Sequence, residues 1–138
     1  MTDDETAVLI RHRLDQAQIA LDDAKFLLDG NRSSYGVVNR AYYAMFYAAL
    51  ALLQKIGRVP SKHAGVISLF DTEFAMKGIF ARELSKDFHK AFEARQLSDY
   101  KTVDPLPRER VEEILDKAAR FVHSVRSYLL GPGAPGRS

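Results

Sequence analysis

The chain has 138 residues, 46% hydrophobic and 28% charged, with no cysteine. That balance fits one globular domain with a single core, and it excludes a disulfide framework, a thiol nucleophile, an iron–sulfur cluster and a cysteine zinc site. Lys+Arg 20 against Asp+Glu 18 leaves a net charge of +2, too small by itself to mark a nucleic-acid binder.

The charge is unevenly spread. Residues 1–32 carry four basic and seven acidic side chains, and residues 33–138 carry sixteen and eleven, so an anion-binding surface is expected on the later segments. The opening Met1-Thr2-Asp3-Asp4-Glu5 is acidic, the opposite of the basic start of a signal peptide. The longest apolar stretch, Ala41 to Leu53, is too short to cross about 30 Å of hydrocarbon. The expected location is the cytoplasm.

Ala7, Ile10, Leu14, Ala17, Leu21, Ala24 and Leu28 recur at steps of three and four, which predicts a helix from Asp3 to Asp29 with Gly30 as a left-handed stop. Its narrow alanine stripe suits close packing against another helix. Ser33 and Ser34 offer caps for a second helix running to about Ile56. There Val38, Ala41, Tyr42, Met45, Ala49, Leu52 and Leu53 are in phase, and Tyr43, Phe46 and Leu50 cover much of the rest. An element apolar nearly all round belongs at the centre.

Gly57 to Pro60 break the pattern, and Ser61 is the expected cap of a third helix carrying Ile67, Phe70 and Phe74, closed by Gly78. Phe80, Leu84, Phe88 and Phe92 predict a fourth helix from about Phe80 to Asp99. The fifth is expected from Pro107, with Val111, Ile114, Ala118, Phe121, Val122, Val125 and Leu129 in register. The predicted architecture is an all-α up-and-down bundle of about five antiparallel helices, one domain over residues 1–130, with residues 131–138 as a flexible tail.

Polar side chains in phase with apolar stripes are the informative ones, because a buried charge must be paired. On the fourth helix the spacing Phe88, Phe92 continues into Arg95 and Asp99, so both should face inward or into a cleft, as an i,i+4 ion pair or as part of a site. Arg40 is the only charge between Ser33 and Gln54; it either reaches the surface along its stem or offers a planar fork to phosphate, with Asn39 beside it. His63 is in register with Ile67 and Phe70 at a helix start, next to Lys62, where free amides and positive charge suit an anion. No metal-ligand spacing, phosphate-binding glycine loop or dinucleotide fingerprint occurs, so neither metal nor cofactor is expected.

Three segments then carry a resemblance. Asn39-Arg40-Ala41-Tyr42-Tyr43-Ala44-Met45-Phe46, Lys62-His63-Ala64-Gly65-Val66-Ile67 with Phe70, and Arg95-Gln96-Leu97-Ser98-Asp99-Tyr100 together resemble the HEPN domains, more narrowly the small stand-alone prokaryotic ones with an asparagine-arginine-x-tyrosine-tyrosine signature. The resemblance implies a helical bundle, a homodimer, and a minimal nucleotidyltransferase as partner. It also implies RNA or nucleotide binding, with metal-independent ribonuclease activity in toxin-like members. The family motif is an arginine followed after four to six residues by a histidine; here Arg95 is followed by Asp99-Tyr100, with no histidine until His123. Two other pairs, Arg58 to His63 and Arg82 to His89, fit the spacing away from the family position.

On this basis the expected catalytic residues are Arg95, His63 and Asp99, with His63 approaching Arg95 in space, Arg95 on phosphate and Asp99 fixing Arg95. The expected RNA- or nucleotide-binding residues are Arg40, Asn39, Lys62 and Tyr100. Tyr100 is also a candidate for modification with AMP by the partner, by analogy with related toxins. The alternative is a non-catalytic dimeric module that docks a nucleotidyltransferase and whose polar cluster is an internal network.

Overall fold

The computed structural model describes residues 1–99 and 106–131. Five α-helices run in order: α1 Asp3–Asp29, α2 Ser34–Ile56, α3 His63–Phe70, α4 Arg82–Ser98 and α5 Arg108–Leu130. Among the described residues there is no strand. Tyr100 and the tail from residue 132 lie outside the described residues.

Local chemistry sets the helix ends. Thr2 and Glu5 form a capping box at the start of α1, where Asp3, Asp4 and Glu5 also meet the positive end of the helix dipole. At its other end the left-handed residue is Asn31 (φ 53°), whereas Gly30 stays right-handed at φ −85°. Asparagine tolerates this conformation, and the amides of Asn31 and Arg32 return to the carbonyls of Leu28 and Leu27 at 3.0 and 2.8 Å, closing the helix one residue later than the glycine suggests. Ser33 caps α2 by accepting from the Tyr35 amide, and Gly57 (φ 70°) ends it with the same pair of returning bonds.

The third helix departs from expectation at both ends. Its cap position is Lys62, which makes no side-chain capping bond, and not Ser61. Beyond Phe70 the helix widens into a π turn over Asp71–Ala75. There Asp71 accepts hydrogen bonds from Ser85 and from His89 Nε2, the latter at 2.6 Å, tying the wider turn to α4. Phe80 is not helical: it sits buried in the connection against Phe70 and Phe74, and α4 starts at Arg82.

α2 touches all four other helices. Ala17, Ala20 and Ala24 of α1 are buried, as are Ala41, Ala44, Ala48 and Ala51 of α2, small side chains that let the two axes approach closely. On the opposite side Phe70, Phe88 and Phe121 lock α3, α4 and α5 together with ring centroids 5.0–5.8 Å apart. α4 and α3 are thereby held against one end of α2, with Arg95 and His63 directed at the same tyrosine pair.

Candidate functional site

The site starts with Tyr42, Tyr43 and Phe46 on α2. Spacings of one, three and four residues place these rings on adjacent faces, and the centroids lie 5.3 Å (Tyr42–Tyr43) and 5.9 Å (Tyr43–Phe46) apart. Tyr42 is fully buried, packed against Phe88 and Phe92 of α4. Its hydroxyl shares a 2.8 Å hydrogen bond with Nδ1 of His63, on the first turn of α3. The imidazole stacks on Phe46, with centroids 4.2 Å apart and planes 13° apart, and meets Tyr43 edge-on at 5.6 Å. Such offset and edge-on contacts fix ring orientation as well as burying area.

Arg95 reaches the same tyrosines from α4. Its Cζ stands 5.6 Å from both the Tyr42 and the Tyr43 ring centroids, close enough for cation–π attraction. Its polar contacts are long: Nη2 donates to the Tyr43 hydroxyl at 3.5 Å, and Nε lies 3.6 Å from the Asp99 carboxylate without forming a hydrogen bond. A guanidinium has five N–H donors, so the aromatic rings hold this one in place while, among the described residues, most of its donor capacity stays unspent. Arg95 also lines an open depression with Glu93, Gln96, Leu97 and Asp99. The carboxylates of Glu93 and Asp99 keep that rim from being uniformly positive.

Arg40 flanks Tyr43 as well, its Cζ 5.2 Å from the ring. It gives Nε and Nη2 to the Asn39 amide oxygen at 3.1 and 2.9 Å, so part of its fork is already engaged. Of the two placements its spacing allows, Asp99 takes the cleft and not the core: it lines the open depression with Arg95, its side chain 61% exposed against 23% for Arg95. Lys62 is exposed beside His63. Tyr100 lies outside the described residues. The structure thus gathers His63, Arg95 and Arg40, with Asn39, around Tyr43, and leaves Asp99 and Lys62 at the margin.

The electrostatics follow from burial. Burial pushes the Tyr42 phenol well above its ordinary range; the Arg95 charge opposes this and Tyr43 adds to it. His63 is lowered from its ordinary 6.5, first by burial and then by the nearby Arg95 charge. At neutral pH the pair is therefore an uncharged phenol bonded to an uncharged imidazole.

The two other arginine–histidine spacings do not form units. Arg58 pairs with Glu73 at 2.7 Å, and His89 pairs with Asp71 at 2.6 Å. Sequence reasoning missed the roles of Tyr42 and Tyr43, whose spacing reads as core. The available signal was two phenols on the one helix that also carries Arg40.

The HEPN domain model matches residues 10–128, nearly the whole described bundle. The chain belongs to the HEPN domain family. Among relatives, a UPF0332 protein of Thermotoga maritima is 36% identical over 125 residues, covering 91% of this chain and 94% of the relative. Two proteins of Methanocaldococcus jannaschii carry toxin names. "Putative toxin MJ0605" is 34% identical, covering 87% of this chain and 88% of the relative; "Putative toxin MJ0142" is 30% identical, covering 85% and 79%. Within this HEPN chain the described helices contain none long and apolar enough to cross a membrane.

Proposed function

We propose that this HEPN protein binds RNA or a nucleotide through its phosphate at the Arg95 cluster, as the toxin-type member of a pair with a minimal nucleotidyltransferase. The observation that carries the reading is the state of Arg95: held by two aromatic rings, yet without a short hydrogen bond among the described residues. A planar fork with spare donors suits the oxygens of a phosphate. Arg40 supports from beside Tyr43, Asn39 orients Arg40, Lys62 adds charge at the margin, and Tyr100, next after Asp99 in the sequence, is a further candidate for ligand binding. Asp99 restrains Arg95 and does not react. The toxin names of two relatives support the toxin-type reading. The protein acts as a cytoplasmic homodimer and needs no metal or cofactor; cleavage of RNA would require His63 to carry the proton of the attacking 2′-hydroxyl.

The second reading, a docking module without an RNA site, is favoured by the Arg40–Asn39 bond, which uses up part of one guanidinium internally. The discriminating experiment titrates fluorescent single-stranded RNA with wild type and Arg95→Ala in chelator, with light scattering for the dimer and co-purification with the co-encoded nucleotidyltransferase. Loss of RNA binding by at least about tenfold at unchanged helicity is expected, the effect of removing a charge-assisted contact. RNA binding that survives Arg95→Ala while partner capture is lost would replace this reading with the second.

A further inference from the structure

Tyr42 is fully buried, and among the described residues its hydroxyl has one hydrogen-bond partner, His63 Nδ1 at 2.8 Å. A neutral imidazole offers one nitrogen as acceptor and carries its proton on the other. Were Nδ1 the protonated nitrogen, the phenolic proton would be left in the core with no acceptor, which buried donors rarely tolerate. Tyr42 as donor and Nδ1 as acceptor satisfies both groups, and it puts the imidazole proton on Nε2. Among the described residues that nitrogen has no hydrogen-bond partner, and on the half-buried His63 it is not one of the buried unpartnered atoms. Phe46 at 4.2 Å and Tyr43 edge-on at 5.6 Å pack the imidazole in the orientation that turns Nδ1, and not Cδ2, toward the Tyr42 hydroxyl. Arg95 approaches the same Tyr42 ring, so the Nε2–H and the spare guanidinium donors belong to one small region.

We propose that Tyr42 is a positioning residue that fixes His63 as a neutral Nε2–H donor, so that His63 and Arg95 together hold a phosphodiester without exchanging a proton with it. The inference rests on the phosphate-binding reading and sharpens it from binding of RNA or a nucleotide to retention of RNA without cleavage by His63. A general base needs a bare Nε2, which the Tyr42 hydrogen bond withholds. A general acid at neutral pH needs an imidazolium, which burial and the Arg95 charge disfavour. A neutral N–H, by contrast, serves as a fixed hydrogen-bond donor to an anionic oxygen, needing no change of protonation as the ligand arrives.

The test uses the full chain labelled with 15N-histidine, and uridylyl-(3′→5′)-adenosine as the probe, a phosphodiester whose single charge does not titrate between pH 5 and 9. Long-range proton–nitrogen spectra at pH 7 should show His63 Nδ1 as a pure acceptor and Nε2 as the protonated nitrogen, with Tyr42→Phe allowing both tautomers at unchanged helicity. The dinucleotide should shift the Nε2 resonance saturably. His63→Leu should weaken binding by about tenfold, and His63→Gln, which places an N–H near the same point but cannot shuttle a proton, should recover most of that loss. A proton on Nδ1 in the wild type, or His63→Gln as damaging as His63→Leu, overturns the inference. A correct tautomer with no dinucleotide binding by the wild type refutes the phosphate-binding reading itself, which separates the two failures.

Discussion

At the scale of single residues, His63 joins stability to pH. Its folded-state proton affinity lies below the ordinary 6.5 because burial and Arg95 disfavour the charged ring. The unfolded chain therefore takes up a proton on this residue as the pH falls through about 6.5, while the folded chain resists until a lower pH. By linkage the stability contributed by neutral His63 is complete above that value and is lost on acidification, levelling off below the folded-state pKa. Urea-unfolding midpoints measured at pH 7.5 and 5.5 should fall in the wild type and fall less in His63→Gln; equal pH sensitivity of the two would place the acid-labile group elsewhere. His89 does separate work: its bond to Asp71 fastens the π turn.

At the scale of elements, the position of His63 depends on where α3 begins. The connection from Gly57 to Lys62 closes α2 with a left-handed glycine and then packs Pro60 under the first turn of α3. A Cβ added at Gly65 would stand 3.0 Å from the Pro60 Cβ and 3.4 Å from its Cγ. Glycine to alanine inside a helix normally gains about 1 kcal/mol, but here the methyl must displace a rigid ring that sits beside the site. Gly65→Ala should therefore fail to deliver that gain and should move the His63 ring resonances at unchanged helicity; a full gain with an unshifted His63 would show that the connection yields freely. This element was only partly legible in the sequence. The periodicity of Ile67 and Phe70 marks the helix, but local capping preference points to Ser61 where the structure uses Lys62, and the π turn is tied by Asp71 to Ser85 and His89, partners 14 and 18 residues away.

At the scale of the molecule, α3, α4 and α5 are coupled through the Phe70–Phe88–Phe121 cluster. Phe121 is fully buried on α5, far along the chain from Arg95 and His63. Phe121→Ala removes a ring that touches both neighbours and leaves a cavity that close-packed helices fill poorly, at a cost of about 3–5 kcal/mol. Denaturant unfolding should show that loss, and RNA binding below the transition should weaken as well, since the ring packs against both α3 and α4, the helices that carry His63 and Arg95. A loss well under 1 kcal/mol would mean that the bundle repacks around the gap.

What the sequence determined by itself is what repeats locally: the phase of apolar residues that makes five helices, the all-round apolar character that puts α2 at the centre, and the three segments that mark the HEPN family. It also indicated Arg95, Arg40 and His63, because a charge or imidazole in an apolar phase must have a partner. What only the tertiary structure decided is which partner. The bond from Tyr42 to His63 spans 21 residues and the contact of Arg95 with Tyr43 spans 52. Periodicity assigns a side chain to a face of its own helix, but the facing atom, and with it the protonation of His63 and the freedom of the Arg95 guanidinium, is set by how separate helices cross in three dimensions.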